Sequence, residues 1–215
     1  MMTRNTFVSE LDTLKQEVKE LGKKVENTFR AVVKAMDTDN RAELEDLIDA
    51  DEEVNKAELA INEQAVLVIA RQQPVAGDLR HIIVCLKISS DLERMGDLSV
   101  DMAKAYLHMA SPGMFHRKRE ELLSIADKVR LMIGRVMKAY DTLDVLQAQD
   151  IAGMDDDIDR AYGVLVKELL QSRESTEDAA QLAFISRFME RIGDYCTNIA
   201  EWIIYEVNGS RFDLN

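Results

Sequence analysis

Proline, glycine, aromatic residues and cysteine are all scarce in this sequence. Two prolines and nine glycines in 215 residues leave long stretches without a breaker, which favours extended helices over strands and turns. Aromatics are only 6% of the chain, yet 47% of it is hydrophobic, enough to build a core from aliphatic side chains; the composition is all-α. Basic residues are outnumbered by acidic ones, 27 to 40, for a formal net charge of −13. That excludes the basic footprint of a nucleic-acid binder and docking by charge on an anionic membrane. It suits cationic ligands or basic partners. No apolar run approaches the ~18 residues of a spanning helix, so any membrane association has to come through a partner. Met1 to Asn5 lead straight into a polar helix, without the apolar stretch of a signal peptide. Cys85 and Cys196 each fall in an amphipathic segment and are expected as buried free thiols in a reducing cytosol. The histidines, His81, His108 and His116, lack ligand spacing and are expected at the surface or at helix ends.

What the chain does have is helical periodicity. Phe7, Leu11, Leu14, Val18, Leu21, Val25, Phe29, Val32 and Met36 recur at spacings of three and four, which predicts a helix over 5–37. Asp37-Thr38-Asp39-Asn40 breaks it and supplies cap residues. The same reasoning predicts helices over 41–72 and 75–110, the second entered through Pro74. Ser111-Pro112-Gly113 is the strongest break and divides the chain into 1–111 and 112–215. Further helices are predicted over 114–148, 151–172 and 177–208, with Asn208-Gly209 as a stop and frayed residues after it. The order repeats, so the expected architecture is two tandem three-helix bundles related by an internal repeat.

The repeat carries chemistry. Glu93-Arg94-Met95-Gly96-Asp97 returns as Glu190-Arg191-Ile192-Gly193-Asp194, 97 residues later. Each copy puts two carboxylates at i and i+4, on one face of a helix, where like charges repel by roughly 0.2–0.5 kcal/mol if exposed and by more if buried. The preceding helices add Asp51 with Asn55 and Asp155 with Asp159, at an offset of 104 residues. Neighbouring helices would bring these into two oxygen-ligand sites, with Asp101 and Asn198 one turn further along as additional donors. Hard oxygen donors favour magnesium, manganese, calcium or ferric iron over zinc as the sole native ion. Gly96 and Gly193 fit this reading, since glycine costs roughly 1 kcal/mol inside a helix and here repeats where a helix or ion cluster would approach closely. The bland alternative is a solvated acidic face neutralised by Arg94, Arg191, Lys56 and Arg160. A carboxylate-bridged di-iron oxidase requires Glu-x-x-His, and the nearest counterpart is a lone Asp78-x-x-His81. No nucleophilic triad or phosphate-binding loop is present, so catalysis has no support in the sequence. A metal-dependent enzyme or a metal-storage protein using the same carboxylates is the alternative function.

At three runs the sequence resembles the PhoU family of bacterial phosphate-transport regulators. They are Arg71-Gln72-Gln73-Pro74-Val75-Ala76-Gly77-Asp78-Leu79-Arg80, then Leu86-Lys87-Ile88-Ser89-Ser90-Asp91-Leu92-Glu93-Arg94-Met95-Gly96-Asp97, and Phe188-Met189-Glu190-Arg191-Ile192-Gly193-Asp194-Tyr195-Cys196-Thr197-Asn198-Ile199-Ala200-Glu201. The resemblance implies two tandem three-helix bundles whose Glu/Asp-x-x-x-Asp motifs bind metal clusters, carried here by Glu93 with Asp97, Glu190 with Asp194, and Asp155 with Asp159. Asn55 departs from that pattern and leaves the first site one charge poorer. The resemblance also implies a non-enzymatic, cytoplasmic and often dimeric protein that represses the phosphate-starvation response and restrains uptake. Such a protein links a phosphate-importing ABC transporter to a sensor histidine kinase, and reaches the membrane only through those partners.

Overall fold

The computed structural model describes residues 4–171 and 176–214. The described residues form eight helices and no strand: α1 (Arg4–Asp37), α2 (Arg41–Asp49), α3 (Glu52–Gln72), α4 (Gly77–His108), α5 (Gly113–Arg117), α6 (Arg119–Thr142), α7 (Val145–Gln171) and α8 (Thr176–Asn208). The expected end of the fifth predicted helix at 172 and residues 1–3 lie outside the described residues.

The α1 stripe is a core stripe: Leu14, Val18, Leu21, Val25, Phe29, Val32 and Met36 are all buried. Asn40 caps α2, its Oδ1 accepting from the Glu43 backbone at 3.3 Å. Helices α1, α3 and α4 pack as one three-helix bundle, and α6, α7 and α8 as the other. The bundles meet mainly where α4 lies against α8, with α1 against α6 alongside. Their buried side chains form one cluster through both bundles. The repeat is visible inside it: Ser89 and Ser186, 97 residues apart, are both buried and both donate to the carbonyl three residues back. Cys85 and Cys196 are buried free thiols.

Three helix boundaries differ from the sequence reading. The predicted helix over 41–72 is two helices, broken at Ala50 and Asp51. The break places Asp51, Glu52 and Glu53 at a new N-terminus, where the helix dipole favours acids that would only repel one another in a helix interior. The predicted helix over 114–148 splits into α5 and α6 and ends at Thr142. Met114 and Phe115 on α5 are buried, and the Phe115 ring meets Tyr106 edge-on at 5.1 Å. Leu143 then takes a left-handed conformation (φ 52°), and Asp144 opens α7 by accepting from the Gln147 backbone at 3.0 Å. The residues after Asn208 are also held. Leu214 donates its backbone N–H to Glu201 Oε1 at 3.0 Å and packs on the core, so the segment expected to fray folds back along α8.

Candidate functional site

The clearest acidic cluster lies between α7 and α8. Asp155 and Asp159 stand one turn apart on α7, Glu190 and Asp194 one turn apart on α8. Gly193 sets the separation: a Cβ there would sit 2.9 Å from Asp155 Oδ1 and 3.5 Å from Ile158 Cδ1, so only glycine lets α7 come this close. Gly96 plays the same part in the first half, where a Cβ would lie 3.0 Å from Val54 Cγ1. Val54 and Ile158 are 104 residues apart, the offset of Asp51 and Asp155, so both bundles use one contact.

One carboxylate oxygen each from Asp159, Glu190 and Asp194 lie within 4.8 Å of one another. Asp155 and Glu190 are 7% exposed, while Asp159 is open to solvent. Among the described residues Asp155 Oδ1 and Glu190 Oε2 are buried without a hydrogen-bond partner, an arrangement that costs free energy in the absence of a counter-charge and that the nearby Thr197 hydroxyl only partly offsets at the Asp155 carboxyl. Burial, reinforced by Asp194 and then Asp159, pushes the Asp155 carboxyl up to about 6. Burial and the neighbouring Asp194 push Glu190 up to about 7, against the opposing pull of Arg187. Asp194 is raised by burial and by Asp159. Oxygen ligands 2.0–2.6 Å from a hard cation can lie up to about 5 Å apart, so the oxygens of Asp159, Glu190 and Asp194 have the spacing to share one ion.

The first half has the same parts in a looser arrangement. Asp51 sits at the N-cap position of α3 with Oδ1 buried and unpartnered. Its carboxyl is raised by burial, then by Asp97 and Asp101. Glu93 is raised by burial and by Asp97, with smaller contributions from Glu58 and Asp51. Asp101 therefore acts on the cluster as well as pairing with Lys104 at 3.1 Å. Asn55 is exposed on α3, and Asn198 is half-buried on α8 one turn beyond Asp194. Glu58 on α3 is a further carboxylate that acts on Glu93, and its Oε1 accepts from Asn62 Nδ2 at 2.5 Å. Asp51, Asn55 and Glu58 stand at i, i+4 and i+7, a helix-face spacing that could have revealed it.

Of the cations offered as neutralising partners, Arg94 forms ion pairs within a cluster, while the exposed Arg191 acts on Asp194 without an ion pair among the described residues. Arg94 Nη1 lies 2.9 Å from Asp97 Oδ2 and its Nε 3.4 Å from Glu93 Oε2. Lys56 pairs with Glu52, and Arg160 with Asp157. Arg187, which the sequence did not flag, donates to Glu190 Oε1 and lies over the Tyr162 ring, 5.8 Å from its centroid.

His81 lies near the start of α4, as a helix-end residue should, but is half-buried there, with Nδ1 2.6 Å from Glu206 Oε1 on α8. Burial opposes its charge, but hydrogen bonds with Cys85 and Glu206 outweigh that and raise it to about 10.

Comparison with known proteins agrees with this architecture. The family model described as "PhoU domain" matches twice, over residues 18–106 and 122–203. A "phosphate-specific transport system accessory protein PhoU homolog" from Clostridium acetobutylicum is 33% identical over 219 residues, covering 100% of both chains. The "phosphate-specific transport system accessory protein PhoU" of Escherichia coli K12 is 30% identical, covering 96% of this chain and 87% of its own. The crystal structure of the phosphate transport system regulatory protein PhoU from Streptococcus pneumoniae superposes with a TM-score of 0.88 at 29% identity, over 96% of this chain and 99% of that one. That of PhoU from Pseudomonas aeruginosa gives 0.88 at 30% identity, over 95% and 100%.

Proposed function

The chain belongs to the PhoU family, and on that premise we propose that it is a negative regulator of the phosphate-starvation response and of phosphate uptake. It serves as a cytoplasmic adaptor between a phosphate-importing ABC transporter and a sensor histidine kinase, and reaches the inner face of the membrane through them. Among the described residues no helix is long and apolar enough to cross a membrane, which agrees with recruitment through partners. The observation that carries the reading is the match of both repeats, over essentially the whole chain, to proteins named as accessory or regulatory components of phosphate transport. The protein is not an enzyme; its family is one of regulatory accessory proteins. The two repeats divide at Ser111 and Pro112, and the working unit is a homodimer, which its mass in solution tests.

In this reading each acidic cluster holds metal: Asp155, Asp159, Glu190 and Asp194 in the second repeat, and Asp51, Glu58, Glu93 and Asp97 in the first. Asn55, Asp101 and Asn198 are the further oxygen donors. The unpartnered buried oxygens of Asp51, Asp155 and Glu190 support it, and the all-oxygen donor set suits iron, manganese, magnesium or calcium. A bound ion supplies the positive charge that the clustered carboxylates lack. The chain's own residues orient those oxygens and join α7 to α8, and α3 to α4, along an acidic face open to partners. A metal-dependent enzyme or metal store would use the same carboxylates, but the solvent-open edge at Asp159 favours a docking face.

Deletion of the gene in its host tests the regulatory reading. Phosphate-responsive genes should stay on in high phosphate and be repressed again when the wild-type chain is restored. Normal repression in the deletion strain refutes it.

A further inference from the structure

A buried hydroxyl with no bond of its own stands beside Asp155. On α8, Gly193 and Thr197 lie one turn apart, on the side that meets α7. Gly193 leaves room for the Asp155 carboxylate, whose Oδ1 would lie 2.9 Å from a Cβ at that position. Thr197 is fully buried, and among the described residues its Oγ1 has no hydrogen-bond partner. Other helical hydroxyls of the chain turn back onto the carbonyl four residues before. Thr13 donates to Ser9 and Ser99 to Met95, each at 2.8 Å, and Thr142 to Lys138 at 3.0 Å. Thr197 does not, so its proton is free for the neighbouring helix. It is near enough to Asp155 to draw that carboxyl down, against burial and against Asp194 and Asp159, without closing a hydrogen bond. The equivalent residue of the first repeat, 97 positions earlier, is Val100, which is also buried. Valine has nearly the shape of threonine, so packing at this position does not call for the hydroxyl. An idle hydroxyl in a core costs free energy, and here it faces a buried carboxylate.

We propose that Thr197 is a positioning residue for the metal site of the second repeat: its hydroxyl donates to one oxygen of Asp155 and so presents the other to an ion shared with Asp159, Glu190 and Asp194. The inference rests on the reading of that cluster as a metal site. Carboxylates that bind metal are themselves held by hydrogen bonds, and losing such a partner weakens metal binding by roughly ten- to a hundredfold. Asp155 has the greatest need of one. Glu190 is held by Arg187, and Asp159 is open to solvent. Asp155 is buried, and the leading influences on it are burial, other carboxylates and the Thr197 hydroxyl. Thr197 therefore acts through Asp155 and not on the ion.

The test is calorimetric titration of chelator-stripped full-length protein with manganese(II) alone, in a Glu93→Gln/Asp97→Asn parent that confines binding to the second cluster. Thr197→Val keeps the shape of the side chain and removes the donor. It should weaken binding by roughly tenfold or more and alter the paramagnetic resonance spectrum of the bound manganese(II). Thr197→Ser, which keeps the donor, should stay within about threefold of the parent and preserve its spectrum. Asp155→Asn should weaken binding by itself, and Thr197→Val added to it should have no further effect. Circular dichroism confirms that each variant is folded. Parental affinity in Thr197→Val, equal losses in Thr197→Val and Thr197→Ser, or additive losses in the Asp155→Asn double variant overturns the inference and leaves the metal reading standing. No binding by the parent, or binding that survives Glu190→Gln/Asp194→Asn, overturns that reading and the inference with it.

Discussion

Replacing Glu190 with glutamine should make the metal-free protein more stable at pH 8, although it removes a buried, hydrogen-bonded side chain. Glu190 ionises near 4.5 in an unfolded chain but only near 7 in the fold, because burial and Asp194 both disfavour its charge. Between those pH values the folded protein holds a proton that the unfolded chain has released. Stability therefore falls as pH rises from 4.5 through 7, and the loss is complete above the folded value. One pKa unit is about 1.4 kcal/mol, so the full shift corresponds to roughly 3 kcal/mol. The solvent-open edge at Asp159 screens the cluster, which brings the expected gain for E190Q to about 1–2 kcal/mol. For a chain of this size that is a rise of about 2–8 °C in Tm. Below pH 4.5, where the wild-type carboxyl is already protonated, the variant should gain nothing. The assay is urea unfolding with excess chelator at pH 4.5 and pH 8, repeated at pH 8 with saturating manganese(II). There the order should reverse, because the glutamine is the poorer ligand. An E190Q protein less stable than wild type at pH 8 in chelator would refute the reasoning, since it would mean that the Arg187 pair outweighs the crowding of carboxylates.

Other expectations follow from single contacts. Gly193→Ala should cost roughly 1–3 kcal/mol and weaken metal binding in the second repeat, because its Cβ would lie 2.9 Å from Asp155 Oδ1; unfolding midpoints and metal titration check it, and an unchanged site means that α7 has room to shift. His81 carries a raised folded value of about 10, so the stability it lends is full below 6.5 and lost as pH rises toward 10. His81→Gln should cost roughly 2 kcal/mol at pH 6 and flatten stability between pH 6.5 and 10, and an unaltered slope in that window contradicts the assignment. Asp144→Ala removes the cap at the start of α7 and should cost about 1 kcal/mol, measurable as a lower urea midpoint with unchanged helix content.

The parts of the fold that the sequence revealed are those where apolar spacing and punctuation agree. Helix α1 ends where Asn40 caps the next helix, and α8 stops at Asn208-Gly209 as its residues dictate. The break at Asp51 and the turn at Leu143 were illegible because neither contains glycine or proline and the apolar stripe runs on across both. Only the Asp144-x-x-Gln147 spacing marked the second. In the sites, the repeated Glu-x-x-x-Asp pairs and their glycines could be read because they occur twice at one offset. The Arg187–Glu190 pair stands at i and i+3 and was equally legible, but the stacking of Arg187 over Tyr162 of α7 was not. Nor was the pairing of His81, whose partner Glu206 lies on another helix, 125 residues away in the sequence.

The central claim is that the paired carboxylates of each repeat hold metal, and elemental analysis tests it most directly. Protein purified without added metal or chelator should carry stoichiometric iron, manganese, magnesium or calcium. Glu190→Gln/Asp194→Asn should lose a share of it, and Glu93→Gln/Asp97→Asn a further share. Metal-free wild-type protein, or the same content in the wild type and both double variants, would contradict the claim.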